Sequence, residues 1–187
     1  MIAPRSVDSL HDLVMPVLAM MVIIVASNIL VQYPLNDWLT WGTLTYPISF
    51  LVTELTNRRF GPAVARRVVY IGFVLAVMLS MYFAGWRIAL ASGSAFLIAQ
   101  LLDIGVFNRL RQQAWWRAPF IASFMASAVD TGTFFSFAFA GTMVPWVTLA
   151  IGDFAVKVTL DILMLAPFRI LMTVVQARPV GVSQTAV

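Results

Sequence analysis

The chain has 187 residues, 61% of them hydrophobic and only 11% charged, with a mean hydropathy of +0.90. Soluble domains carry about a quarter charged residues, so this composition points to a membrane-embedded chain with room for six spans of roughly 20 residues and for no separate extramembrane domain. The net charge of +4 comes from arginines in short loops beside apolar runs, which argues for membrane orientation rather than nucleic-acid binding. The absence of cysteine excludes disulfides, iron–sulfur clusters and thiol nucleophiles.

The short N-terminal segment MIAPRSVDSLHDL leads into an apolar run too long for a signal-peptide core, so it reads as a retained first helix. The expected spans are residues 14–35, 38–56, 68–84, 88–107, 119–142 and 144–167, forming a single transmembrane domain over 1–187. All should be helical, because backbone polar groups in lipid must be satisfied within the segment. Membrane-barrel strands would alternate apolar and polar residues, and these runs do not.

Span two is interrupted by Pro47, which lacks a backbone donor and predicts a kink or break. Proline is common in membrane helices for structural reasons, yet broken helices in transporters also line substrate sites. Span three, VVYIGFVLAVMLSMYFA, is uncharged and is expected to face lipid. Small residues in ALASGSAF and ASFMASA suit close helix packing in spans four and five. FLVTEL (50–55) resembles FLIAQL (96–101), an internal similarity short enough to arise by chance. Pro167 should end or bend span six.

Arginine placement orients the chain. Arg58, Arg59, Arg66 and Arg67 follow span two, Arg109, Arg111 and Arg117 follow span four, and Arg169 and Arg178 lie in the tail. The opposite loops hold only Arg87. The positive-inside rule then puts both termini in the cytoplasm.

The chemistry lies in polar residues placed inside these spans. Asp153, Lys157 and Asp161 are spaced four apart in IGDFAVKVTLDILMLAPF, which puts them on one helix face. Charges at that depth are costly and mark functional interiors. Asn28, Glu54, Gln100, Asp103 and Asp130 complete the set. Helical rise places Glu54 roughly 6 Å and Asp103 roughly 9 Å inside the cytoplasmic edge, with Asp130 and Lys157 near the middle.

Structural roles compete with functional ones here. Glu54 could pair with Arg58 one turn on, Asp103 with loop arginines, and Lys157 with Asp153 or Asp161. Asn28 and Gln100 suit interhelical hydrogen bonds. Lys157 cannot neutralise every carboxylate, so the interior invites a proton or a donor-rich ligand.

Enzymatic readings find no support. His11, the sole histidine, precedes the first span, so GSAF at Ser94 has no base for serine proteolysis. The GD of IGDF is shorter than the GxGD signature of intramembrane aspartyl proteases. No HExxH, phosphate loop or dinucleotide fingerprint occurs. Transport is the default.

Five segments carry a family resemblance: SNILVQYPL (27–35), TWGTLTYPISFLVTELTNRRFG (40–61), AQLLDIGVFNRLRQQAWW (99–116), SAVDTGTFFSFAFAG (127–141) and GDFAVKVTLDILMLAPF (152–168). In this order they resemble the queuosine precursor transporters, also called the vitamin uptake transporter family. The resemblance implies six helices in the bacterial inner membrane and import of 7-cyano-7-deazaguanine, with 7-aminomethyl-7-deazaguanine as an expected second substrate, to supply queuosine in tRNA. It implies no cofactor. Matched to the family's motifs, Glu54, Gln100, Asp103, Asp130, Asp153 and Lys157 form the expected binding set, with Asn28 in support, while Asp161 falls outside the matched positions. The loop FAGWR between spans three and four is shorter than in some relatives.

A deazaguanine ring presents N1–H and a 2-amino group to a carboxylate, and O6 to a donor such as Lys157 or Gln100. Its flat face suits stacking on Tyr46, Phe134, Phe135 or Trp41, although such rings more often pack or face lipid. Alternating access would follow, with span two and span six re-opening toward the cytoplasm. The sequence leaves open proton coupling against facilitated diffusion. Two other classes stay open: a substrate-binding subunit of an energy-coupling-factor complex, and a non-transport membrane protein. The limited interior of six short helices favours a homodimer.

Overall fold

The computed structural model describes residues 10–30, 33 and 41–174. Among these residues the secondary structure is helical throughout: α1 Leu10–Leu30, α2 Trp41–Thr45, α3 Ile48–Phe60, α4 Pro62–Leu110, α5 Arg117–Phe139 and α6 Trp146–Val174. These are not the six expected spans one for one. Span two is divided into α2 and α3, and spans three and four are joined as α4.

The division falls at Tyr46–Pro47. Pro47 has no N–H to continue the α2 ladder, and the chain restarts through Ser49 N to Tyr46 O (2.9 Å) and Phe50 N to Pro47 O (3.1 Å). The anticipated break is therefore present. Gly61 and Pro62 separate α3 from α4: Gly61 adopts φ 87° and its N–H bonds the Asn57 carbonyl, while Pro62 occupies the start of α4. A positive φ suits glycine, and a missing donor costs nothing at a helix start.

α4 is two helices in all but continuity of pattern. At Gly85 the backbone leaves helical geometry (φ 80°, ψ 170°). A Cβ placed on Gly93 would lie 2.5 Å from Val77 Cγ2 and 3.3 Å from Phe73 Cε2. In a straight helix residues 77 and 93 would stand roughly 24 Å apart, so the chain reverses at Gly85 into two antiparallel limbs.

The limbs Pro62–Phe83 and Gly85–Leu110, together with α5, are the described helices long and apolar enough to cross a membrane. In α1 the apolar stretch Leu13–Ser27 is shorter. α6 has ample length at 29 residues but carries Asp153, Lys157 and Asp161 in its middle.

Packing is dominated by small residues. Ala89, Ala91, Ala95 and Ala99 of α4 and Ala122 and Ala126 of α5 are buried, letting backbones approach closely. Met20 and Ile24 of α1 pack on Val68, Val69 and Phe96, and Phe107 meets Phe168 edge-on at 6.0 Å. Tyr46 lies between Phe50 and Phe96, at 6.3 and 6.4 Å, so the two similar hexapeptides line one interior.

Two expectations change. Span three is not wholly lipid-facing: Val68, Val69 and Ala76 are buried while Tyr70, Val74 and Met78 are exposed, because the limb packs one face against α1. Pro167 does not end α6, which continues to Val174; membrane helices re-satisfy the group a proline frees. The first helix is described from Leu10 to Leu30; residues 31–32, 34–40 and 175–187, including the end of span one and Arg178, lie outside the described residues.

The arginines gather as the sequence suggests. Arg111 Nη2 donates to the Arg58 carbonyl (3.1 Å), joining the two basic loops at one end. At the opposite end Arg87 donates to the carbonyls of Phe137 (3.4 Å) and Ala140 (2.9 Å).

Candidate functional site

Two polar stripes of matching period meet along the antiparallel α5–α6 contact. α5 offers Ser123, Ser127 and Thr131 at four-residue steps, with Asp130 beside the last, and α6 offers Asp161, Lys157 and Asp153 in the opposite direction. Ser127 Oγ donates to Asp161 Oδ2 at 2.9 Å. Lys157 Nζ donates to Asp130 Oδ2 at 2.8 Å and to Thr131 Oγ1 at 3.1 Å. Thr131 Oγ1 donates to Asp153 Oδ2 at 2.7 Å.

The centre of this ladder is an ion triad. Lys157 Nζ lies 2.8 Å from Asp130 and 2.6 Å from Asp153, and the Lys157 and Asp130 side chains are only 7% and 6% exposed. Tyr46, at the break between α2 and α3, donates its hydroxyl to Asp130 Oδ1 at 3.2 Å, and its ring centroid is 5.8 Å from Lys157 Nζ. Two carboxylates and one ammonium leave one surplus negative charge. Asp153 is the most accessible member, at 19%.

A second cluster lies two turns along α5, between Ser123 and Ser127. The distance from Asp130 to Ser123 along the helix is roughly 10 Å. Ser123 Oγ donates to Glu54 Oε1 at 2.6 Å. Asp103 interacts electrostatically with Glu54 and Asp161, is fully buried, and neither of its carboxylate oxygens has a hydrogen-bond partner. Of the expected local pairings only Lys157 with Asp153 is present: Glu54 bonds Ser123 rather than Arg58, no arginine holds Asp103, and Lys157 takes Asp130 rather than Asp161 as its second partner. Interhelical contacts win because α3, α5 and α6 turn their polar faces toward one another, away from the loop arginines.

Gln100 is committed to the protein. Its Oε1 accepts from Thr53 Oγ1 (2.6 Å) and its Nε2 donates to Ser49 Oγ (2.9 Å), tying α3 to α4. Phe134 stands one turn from Asp130 on α5, and its ring neighbours are Phe135 (5.2 Å) and Phe139 (6.0 Å). Trp41 is 48% exposed. The Asn28 side chain lies outside the described residues.

The family described as "Putative vitamin uptake transporter" matches residues 40–85 and 81–172. A "Probable queuosine precursor transporter" of Haemophilus influenzae is 37% identical over 186 residues, covering 78% of this chain and 79% of its own. The "Queuosine precursor transporter" of Escherichia coli is 35% identical over 176 residues, covering 79% and 80%. A Bacillus subtilis "Probable queuosine precursor transporter" is 24% identical over 156 residues, covering 67% and 68%. This chain belongs to the vitamin uptake transporter family. It is a multi-pass membrane transporter and not an enzyme. No solved structure matches it.

The triad brings together a fixed ammonium, two carboxylates and an aromatic ring at a helix break. Sequence reading missed the hydroxyls. Ser123, Ser127 and Thr131 repeat with the period of Asp153, Lys157 and Asp161, and matching the two periods in opposite directions was the available signal. Ser49, Thr53 and Asn57 have a weaker signature, since single hydroxyls and amides in membrane helices usually bond their own backbone or a neighbour.

Proposed function

We propose that this transporter imports queuosine precursors, 7-cyano-7-deazaguanine first and 7-aminomethyl-7-deazaguanine second, across the bacterial inner membrane. In this reading residues 1–187 form one transport domain of six passes: α1, the broken α2–α3, the two limbs of α4, α5 and α6. The basic end carrying Arg58, Arg111 and Arg169 faces the cytoplasm with both termini, as the positive-inside rule requires. The names of the relatives supply the substrate class.

The observation that carries the reading is Lys157, buried between Asp130 and Asp153 beside Tyr46 at the only break in the α2–α3 pass. The N1–H and 2-amino edge of the base docks on the surplus carboxylate charge, with Asp153 the accessible acceptor, and O6 accepts the Lys157 N–H that Asp153 thereby releases. Tyr46 offers the face for stacking, with Phe134 beyond it. Opening and closing turn on the Tyr46–Pro47 break, where the helical hydrogen-bond ladder is interrupted, as in the broken helices that line transporter cavities. The chain is expected to work as a homodimer, which light scattering in nanodiscs checks.

The test is queuosine in tRNA, measured by mass spectrometry, in bacteria that lack precursor synthesis and their own importer and are fed low 7-cyano-7-deazaguanine. Wild-type chain restores queuosine, and Lys157→Ala abolishes it while protein levels hold. A well-inserted wild-type chain that restores nothing would sink the substrate assignment. Uptake by the isolated chain in liposomes separates a self-sufficient transporter from a subunit that needs an ATPase partner.

A further inference from the structure

The import reading uses Lys157 and its carboxylates and leaves Glu54, Asp103 and Asp161 unemployed. These three are 3%, 0% and 4% exposed and come from three different helices, α3, α4 and α6. Ser123 and Ser127 each supply one hydroxyl, to Glu54 and Asp161, and Asp103 receives nothing. A further acceptor adjoins them. Asn57, one turn from Glu54, is fully buried. Its Nδ2 donates to the carbonyl of Ile104, next to Asp103 (3.1 Å), while its Oδ1 has no partner.

The charges facing Asp103 can be named element by element. α3 brings Glu54 and, one turn on, Arg58, which makes no ion pair with any of the three carboxylates. α6 brings Asp161 and Lys157; Lys157 is ion-paired with Asp130 and Asp153 and acts on Asp161 only at a distance. α5 brings only hydroxyls here, its Asp130 being held by Lys157. Just past the end of α4, Arg111 is turned to the Arg58 carbonyl and Asn108 Oδ1. The described side chains of α1 carry no titratable group.

An acceptor-only cluster in a dry interior cannot stay fully ionised without a positive partner. A metal ion is disfavoured: among the described residues no three acidic or histidine side chains are arranged to hold one. A proton needs no such cage. It converts one carboxylate into a donor, and the unpartnered Asp103 and Asn57 oxygens are the acceptors left to receive it.

We propose that Glu54, Asp103 and Asp161 form a proton-binding site, separate from the Lys157 triad, and that its proton accompanies substrate across the membrane. The coupling half rests on the import reading; the proton site does not. Ser127 bonding Asp161, one turn from Lys157 on α6, links the two sites. Movement of α6 against α5 exposes both together, so the proton is taken up outside and released at the basic end.

The test uses the full chain in lipid bilayers and has two readouts. Infrared difference spectra across a pH titration should show a carboxylic-acid carbonyl band that Asp103→Asn removes or shifts and Ser49→Ala does not. No titrating carboxyl band sensitive to Asp103→Asn, Glu54→Gln or Asp161→Asn overturns the proton site. In proteoliposomes an inside-alkaline gradient should accumulate 7-cyano-7-deazaguanine about tenfold per pH unit for one accompanying proton. Asp103→Asn should lose accumulation while thermal unfolding in detergent shows that it is folded. Downhill entry indifferent to the pH gradient, or accumulation driven by sodium instead, overturns the coupling. A persistent titrating band without any deazaguanine uptake would leave the proton site standing and overturn the substrate reading.

Discussion

Lys157 reaches across from α6 to Asp130 of α5 at 2.8 Å while also holding Asp153 of its own helix at 2.6 Å. The cross-helix bond is the informative one. A lysine that only neutralised its neighbour would leave Asp130 alone in the interior; instead one ammonium fixes two helices and leaves a single negative charge for a solute to meet.

Removing that ammonium strands two carboxylates. Lys157→Met should destabilise the fold by about 3–5 kcal/mol, the range for breaking a buried ion pair from one side, and abolish uptake. Lys157→Met combined with Asp130→Asn should recover much of the stability and none of the transport. Thermal unfolding in detergent and precursor uptake measure the two effects separately.

Tyr46→Phe removes one hydroxyl from Asp130 and keeps the ring. The expected stability loss is about 1 kcal/mol, typical of one hydrogen bond. Uptake should fall severalfold, chiefly through substrate affinity, whereas Tyr46→Ala, which deletes the stacking face, should lose most of it. Concentration-dependent uptake distinguishes the two variants.

Gln100 has both ends of its amide engaged between Thr53 and Ser49. Gln100→Leu should therefore cost about 1–3 kcal/mol by leaving buried partners unsatisfied. The affinity for precursor in the folded fraction should stay within about twofold, a margin below 1 kcal/mol. A large affinity loss at unchanged stability would place Gln100 in the substrate site.

Gly93 is where the limbs of α4 touch. Gly93→Ala puts a methyl 2.5 Å from Val77 Cγ2, and overpacking of this kind costs about 1–3 kcal/mol. Val77→Ala in the same chain should restore the melting temperature. Failure of that rescue would mean that the limbs do not meet at these residues.

The sequence carried the helical class, the break at Pro47 and the shared face of Asp153, Lys157 and Asp161, because each depends on local geometry. Partner choice depends on which faces meet. Glu54 had Arg58 within one turn and took Ser123 instead; Lys157 kept Asp153, one turn back, but took Asp130 of α5 rather than Asp161, one turn on. Burial favours a partner that shares the dry interior over one that can reach the aqueous edge, and only tertiary structure says which partner that is. The serines of ASFMASA read as packing residues, and they are also the hydrogen-bond donors of the carboxylate cluster.

Arg87 has a mechanical consequence. Its guanidinium clasps the last carbonyls of α5 beside the reversal at Gly85, so the α4 hairpin and α5 are stapled at that end. In the proposed import cycle a gate there parts α6 from α5 rather than α5 from the α4 hairpin, turning at the Tyr46–Pro47 break while the short link through Gly141 (φ 77°) and Pro145 keeps α6 joined to α5. Cutting the staple with Arg87→Ala should therefore loosen the stationary wall of the gate and leave its hinge intact.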